Sequence, residues 1–434
     1  MIHAETQIVI LGGGCGGLWL LYELCRHGYE PILIDQQTLG RYASTRNQSW
    51  LHSGALYAVI EGQNEAQGKT EYSEGLRRTS EACRRSFEDL RSFCPSAFEN
   101  ESECMFLFEA ENEARRAENK VRSLGLWTER LSQTEIERLE PILAPATKLP
   151  HCLVTQDIPF DSHQVLTKLA QEACARGAGF HCSTKSLDSL EIRFEDGSWT
   201  ITDEEVSVRA QHALCAIGAL TPQMIKRLSP RSAHDLPIQK CLVSVFNRRI
   251  CDRIIAFRSE EALGMNLVPF MGGTTVNLGN TDDAASDAAD DWFDTEIYGR
   301  DFAETLSIFV PGLQELTCQA SFYSCQKLSN VEFSSHPIQA FGKRHYFWLS
   351  CPNNCHFFYP GKFTLAPIAA REFVTQFTEA HKPRPLIRGV QKGDPPGVAE
   401  RPYYKPFTHV LSGSPAVFLR QAMLTMPSRT PEGG

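Results

Sequence analysis

The chain lacks any apolar run of about 18 residues, the length a membrane-spanning helix needs, so no transmembrane segment is predicted and at most a peripheral membrane contact stays open. It also lacks a charged start followed by a cleavable apolar stretch. The first residues, MIHAETQ, run straight into an apolar strand, and no export signal is predicted. Positive charge is not in excess: 43 Lys and Arg against 52 Asp and Glu leave −9, which argues against nucleic acid as the partner. There is no internal repeat. Cys351 and Cys355 have no second Cys or His pair at ligand spacing beside them, so no metal site is predicted. Cysteine itself is plentiful. The fifteen are scattered through apolar and helical segments and read as reduced thiols that fill the core, which predicts a cytoplasmic protein. With 434 residues and 42% hydrophobic content the chain can bury a large core, and its length suits two domains.

Glycine is concentrated where it carries information. Ile8 to Leu11 is a short apolar run that ends in Gly12-Gly13-Gly14-Cys15-Gly16-Gly17, and Leu18, Leu21, Tyr22 and Cys25 then share one helical face up to Gly28. Gly12, Gly14 and Gly17 fit the spacing of a dinucleotide-binding turn. The first makes a tight bend, the second lets backbone approach a pyrophosphate, and the third lets helix pack on strand. The helix start offers free N–H groups and partial positive charge to phosphates, a role for Cys15 and Gly16 as well. Pro31 to Asp35 is the next apolar strand, and the Asp35 carboxylate at its end is placed to accept from ribose hydroxyls. The turn alone leaves FAD and NAD open. No second glycine-rich turn accompanies it, which argues against a two-dinucleotide reductase.

Further elements follow from pattern. Cys104 to Phe108 reads as a strand. Asp161 or Ser162 caps a helix carrying Val165, Leu166, Leu169 and Ala173, stopped at Arg176-Gly177. Residues 180–212 alternate as strands with a turn at Asp196-Gly197, and Ala213 to Ile217 is a buried strand. Residues 236–332 are strand-rich, with Gly272-Gly273 between two strands. Thr364 to Glu379 is a helix with Pro367 in its first turn.

The segment Ala43-Ser44-Thr45-Arg46-Asn47-Gln48-Ser49-Trp50-Leu51-His52-Ser53-Gly54-Ala55-Leu56-Tyr57, together with the glycine turn, resembles the D-amino-acid-oxidase superfamily of FAD-dependent oxidoreductases. Within it the flavin-linked glycerol-3-phosphate and L-2-hydroxyglutarate dehydrogenases are nearest. Shorter pieces line up in the same order: Leu139-Glu140-Pro141, Pro159-Phe160-Asp161, Ala216-Ile217-Gly218-Ala219, Asn266-Leu267-Val268-Pro269, Leu278-Gly279-Asn280-Thr281 and Tyr359-Pro360-Gly361-Lys362-Phe363-Thr364. Cys351-Pro352-Asn353-Asn354-Cys355-His356 departs from the more glycine-rich stretch of that group.

The resemblance implies an α/β fold: a doubly wound Rossmann-like FAD domain, discontinuous in sequence, with an antiparallel-sheet substrate domain. The expected division is FAD-binding residues 1–85, 151–232 and 333–382, a helical and strand substrate segment 86–150, a substrate sheet 233–332, and an arm or tail 383–434. It implies FAD held by Gly12, Gly14, Cys15, Gly16, Gly17, Asp35, Thr45, Arg46, Asn47, Ser49, Leu51, His52, Gly218, Gly361, Lys362, Phe363 and Thr364. It further implies oxidation of a small amine, amino acid or 2-hydroxy acid by hydride transfer to flavin N5, with electrons passed to oxygen, a quinone or a carrier. His52 is the candidate base, His356 a candidate facing the substrate, and Lys362 a candidate charge beside the reduced ring. Two other readings stay open here: an FAD-dependent tailoring enzyme for a larger or carrier-bound intermediate, and a flavin-binding protein without turnover.

Overall fold

The computed structural model describes residues 1–36, 38–69, 73–98, 102–144, 148–183, 185, 187–230, 238–262, 264–277, 281–284, 308–310, 319–328, 346–384, 394–399 and 409–410. The stretch 278–280, the boundaries expected at 232 and 332, and most of the arm after 383 lie outside them.

The first strand, Ile2–Leu11, sits inside an eight-stranded sheet. Its neighbours Ile32–Gln36 and Val206–Cys215 run parallel to it, and Gly179–Ser183 runs parallel to Ile32–Gln36. Alternation assigns its side chains: Ile8 and Ile10 join one core, Val9 and Leu11 another. The first core is covered by the helices Cys15–Arg26, Ser73–Phe93, Ser162–Ala175 and Ala366–Ala380. The second is closed by the short helix Thr221–Leu228 and the hairpin Glu191–Glu195 with Ser198–Thr202. A sheet buried on both faces needs continuous apolar strands, which is why Ile8 to Leu11 and Ile32 to Ile34 read as unbroken runs.

Local chemistry sets the ends of these elements. Gly28, at φ 83, takes the left-handed position after the first helix. Asp161 caps the helix Ser162–Ala175 by accepting from His163 N at 2.9 Å. Asp196 and Gly197, at φ 51 and 73, form the hairpin turn expected there.

The long strand Val206–Cys215 pairs Ile2–Leu11 along one edge. Its other edge is shared, by Ser198–Thr202 over its first half and by Cys355–Tyr359 at its end. Phe347–Cys351 then closes that side as a hairpin partner.

The second sheet has ten strands and is antiparallel apart from the pairing of Ile254–Arg258 with Cys104–Phe108. Met105 and Leu107 point into one core, Phe106 and Phe108 into another shared with the helices Ala55–Ala66 and Glu111–Ser123. The fold is thus the expected α/β arrangement of a doubly wound sheet and an antiparallel one.

Two expected boundaries shift. His151–Thr155 pairs Cys104–Phe108 and belongs to the second sheet, so the chain returns to the nucleotide layer after residue 155 rather than at 151. The helix Ser73–Phe93 runs through the boundary drawn at 85 and 86, and Leu76, Cys83, Phe87 and Leu90 all bury in the same core. Beyond residue 383, Val398 bridges Leu39 and His409–Val410 pairs Gln319–Leu328, so parts of the arm are seated on the body.

Candidate active site

The strand Ile2–Leu11 ends in a turn with no room for side chains. Gly12 has φ 97, and a Cβ on it would lie 2.6 Å from the Ala216 carbonyl oxygen. A Cβ on Gly17 would fall 1.8 Å from the Gly12 oxygen, so helix and turn touch through backbone alone. A Cβ on Gly14 would lie 2.9 Å from Ser44 Oγ. The helix Cys15–Arg26 starts without a side-chain cap, and Cys15 N donates to Ser44 Oγ at 2.8 Å. Gly12, Gly13, Gly14, Cys15 and Gly16 border one long cavity, whereas Gly17 lies behind it as the packing contact. The Cys15 thiol also borders it, and burial pushes that thiol up to about 11, so it fills space as a neutral group.

Asp35 borders the same cavity. Burial raises its carboxyl to about 7, partly opposed by backbone N–H groups of Gln36 and Gly13 and by the charge of Arg41. A buried acceptor beside a glycine turn and an uncapped helix start is what a ribose and a pyrophosphate need.

The loop after residue 40 is shaped by its own polar side chains. Thr45 Oγ1 donates to Gly40 O at 2.8 Å. Asn47 Nδ2 donates to Ser44 O at 2.7 Å and to Ser162 Oγ at 3.0 Å, and Asn47 Oδ1 accepts from Ser49 N at 2.8 Å. Ser49 sits at φ 63 and accepts from Phe160 N, and Leu51 pairs Ile158. Arg46, Asn47 and His52 border the cavity; Thr45, Ser49 and Leu51 are buried behind it and hold the loop in place.

The far end is closed by the late segment. Gly361, at φ 71, makes a tight turn in which Lys362 N donates to Pro360 O at 2.7 Å. Gly361, Lys362, Phe363 and Thr364 border the cavity, as does Gly218, and the helix Ala366–Ala380 follows with no side-chain cap. Thr364 Oγ1 accepts from His52 N at 3.2 Å and so joins the two segments.

His52 lies 4% exposed, its Nδ1 3.5 Å from Asp157 Oδ2. Asp157 is fully buried. It accepts from Trp50 Nε1 at 3.0 Å, Ser53 N at 2.7 Å and Ser53 Oγ at 2.5 Å. The Asp157 carboxylate lies on the Nδ1 side of the His52 ring and favours the tautomer that carries its hydrogen there. Sequence reasoning missed Asp157, because a single Asp before Ile158-Pro159 has no pattern around it. It also gave no role to Ser44, Arg41 or Tyr359, all of which border the cavity.

His356 does not border the cavity, contrary to expectation. Strand alternation turns it with Phe358 toward the helix Ala366–Ala380, where it meets Phe373 and Phe377 and its Nδ1 shares a hydrogen with Ser350 Oγ at 2.9 Å. It stands beside His212 and His381 in a histidine cluster.

The family described as FAD dependent oxidoreductase (DAO) matches residues 7–374, which takes in the glycine turn, His52 and the Gly361–Thr364 segment alike. The chain belongs to this family. FAD is therefore its cofactor, and the cavity fits it: a turn that any Cβ would fill, a helix start, and a buried carboxylate at one end. Among curated relatives, the probable FAD-dependent oxidoreductase PA4991 of Pseudomonas aeruginosa is 42% identical over 65 residues, 14% of this chain and 17% of that protein. A component of the anaerobic glycerol-3-phosphate dehydrogenase of Haemophilus influenzae is 32% identical over 79 residues, 18% of this chain and 14% of that component. The matched stretch thus spans about a sixth of the length of these relatives. Solved structures extend the likeness of fold. PA4991 superposes with a TM-score of 0.63 at 17% identity, covering 93% of this chain and 98% of that one. The L-alpha-glycerophosphate oxidase of Mycoplasma pneumoniae, with FAD bound, gives 0.64 at 14% identity over 91% and 98%. Glycine oxidase of Geobacillus kaustophilus gives 0.60 at 17% identity over 87% and 95%. Among the described residues of this FAD-family chain, no helix is long and apolar enough to cross a membrane and no group of side chains is placed to hold a metal ion.

Proposed function

We propose that the protein oxidises a small amine, amino acid or 2-hydroxy acid at a carbon placed between His52 and the ring-binding end of the cavity. The observation that carries this reading is His52, buried against Asp157 yet itself bordering a cavity that continues to the nucleotide turn. Gly12 to Gly16 and the helix start hold the pyrophosphate, and Asp35 takes the ribose. The Gly361–Thr364 turn and Lys362 close over the ring-binding end, where the Lys362 charge offsets negative charge. His52 takes the proton from the donor's nitrogen or oxygen, with Asp157 fixing the imidazole. Bound FAD supplies a two-electron acceptor, which is discharged to oxygen, a quinone or a protein carrier. The relatives that act on glycine or glycerophosphate motivate the range of donors. Twelve cysteines among the described residues stand as thiols rather than disulfides, which suits a reducing compartment such as the cytoplasm.

The test is a visible spectrum of the FAD-loaded protein during anaerobic addition of amines, amino acids, 2-hydroxy acids and glycerol 3-phosphate. The expected result is bleaching of the flavin band by one donor class. A bound flavin that no donor bleaches sinks the reading.

A further inference from the structure

Residues 39–45 lie across the nucleotide end of the cavity as a clip. Gly40, Arg41, Tyr42 and Ser44 border the cavity together with Asp35 and the glycine turn. Thr45 Oγ1, by donating to Gly40 O at 2.8 Å, ties the two ends of the clip to each other. Two bonds seat the clip on the turn. Gly40 N donates to Gly13 O at 3.0 Å, and Cys15 N donates to Ser44 Oγ at 2.8 Å. The Leu39 side chain packs on the same turn, so closely that a Cβ on Gly13 would lie 2.5 Å from its Cδ2.

The backbone of Leu39 is held in turn by the C-terminal arm. Leu39 N donates to Gly397 O at 3.2 Å, Ala399 N donates to Leu39 O at 2.7 Å, and Val398 lies opposite Leu39 in a parallel bridge. Val398 packs on the core that Leu39 joins, and its Cγ1 lies 3.7 Å from where a Cβ on Gly40 would stand. The root of the arm is fixed separately: Gln7 Nε2 donates to Lys382 O at 2.9 Å, and Gln7 Oε1 accepts from Arg384 N at 2.9 Å. Leu39 is fully buried, whereas Val398 is only partly so. The arm therefore adds little to the core, yet both of its backbone bonds fall on the residue that packs against the phosphate turn.

We propose that residues 397–399 are a strap that locks this clip over the nucleotide half of FAD and sets how slowly the cofactor leaves. Val398 and Ala399 are then positioning residues: they hold Leu39, and Leu39 holds the turn. The inference is independent of which donor the enzyme oxidises. A ligand enclosed by a loop leaves when the loop lifts. With the strap engaged, lifting the clip breaks the Gly40–Gly13 bond and both strap bonds together. With the strap detached, water replaces the arm at Leu39 N and O, and the clip lifts alone. Segments with few core contacts open in this local way while the rest of the fold stays closed.

The test measures FAD release from the loaded full-length protein, followed by flavin fluorescence after dilution, beside the melting of the cofactor-free chain. Ala399→Pro removes the N–H that Leu39 O accepts, and Val398→Asp sets a charge against the core contact. Both are expected to release FAD at least ~10-fold faster, with cofactor-free melting close to that of wild type. Val398→Ile, which keeps the contact, is expected to release FAD at the wild-type rate. Val398→Ala, a gentler change, carries the test if the first two variants fail to fold, and faster release is expected there too. Wild-type release rates in the variants that fold, Val398→Ile apart, overturn the strap. So does cofactor-free melting that falls in step with FAD retention, because the arm is then only a part of the general fold.

Discussion

At its nucleotide end the cavity is made of backbone; at its sheet end it is made of side chains drawn from distant parts of the chain. Gly12, Gly13, Gly14 and Gly16 follow one another along a single turn, and what they offer is the absence of atoms. Trp50, His52, Val243 and Asn277 come from three separate segments, and what they offer is side-chain chemistry. At Gly12 an added Cβ meets backbone that cannot yield. The second end can be retuned one residue at a time. One end therefore accounts for a cofactor shared across a family, the other is a surface on which members can differ.

The comparison is broken most severely at Gly17. Its substitution by Val puts a Cβ 1.8 Å from the Gly12 carbonyl oxygen, where backbone cannot yield. Flavin binding is expected to weaken at least ~100-fold, about 2.7 kcal/mol. Flavin absorbance per chain after gel filtration checks this, and a yellow Gly17→Val protein would mean that the turn is softer than its geometry.

A smaller effect is expected at Asp157. Asp157→Asn leaves one oxygen where two accepted, so its NH2 meets either the Ser53 donors or the Trp50 Nε1–H, at a cost of about 2 kcal/mol in stability. The variant is expected to keep its flavin, melt earlier and turn over more slowly, with an altered pH profile as His52 loses its orienting partner. Unchanged turnover across pH would separate Asp157 from the chemistry.

The smallest effect is a pair of pH dependences of opposite sign. Burial, followed by the charges of neighbouring histidines, lowers His212 to about 3 and His356 to about 4, against an ordinary 6.5. Their contribution to stability is complete above about 6.5 and is lost as pH falls through that range toward 4. Asp35 is raised from 3.8 to about 7 in the cofactor-free chain, so its contribution is complete near pH 4 and is lost as pH rises to 7. Melting curves of the cofactor-free protein check both. His356→Phe is expected to reduce the acid loss without changing turnover, and Asp35→Asn to remove the opposing slope. A large fall in turnover for His356→Phe would return that residue to the active site.

The same contrast explains what could be read from the sequence. The glycine turn, Asp35, the Asp161 cap and the Asp196-Gly197 hairpin are local: each acts on atoms a few residues away, and spacing is enough to see them. The family resemblance extends the reading to His52 and to Gly361–Thr364. Asp157 could not be seen, because its meaning lies in partners such as Trp50 and Ser53 that only the sheets bring near. His356 is misplaced by sequence for a related reason. Closeness along the chain to Tyr359-Pro360-Gly361 suggests the cavity, while strand alternation turns it to the helix side with Phe358.

The shared edge of Val206–Cys215 also sets a timetable. In a growing chain, the glycine turn leaves the ribosome early, and the strand before it can pair Ile32–Gln36 at once, yet its other edge finds a partner only when residues 206–215 arrive. The last lining of the site, at Gly361 to Thr364, comes later still. At roughly 5–20 residues per second, synthesis from Gly12 to Thr364 takes about 20–70 s. The first strand keeps one open edge until residues 206–215 arrive, and the nucleotide cradle has no lid until residue 364 does, so free FAD is expected to protect the newborn protein from aggregation only late in its synthesis.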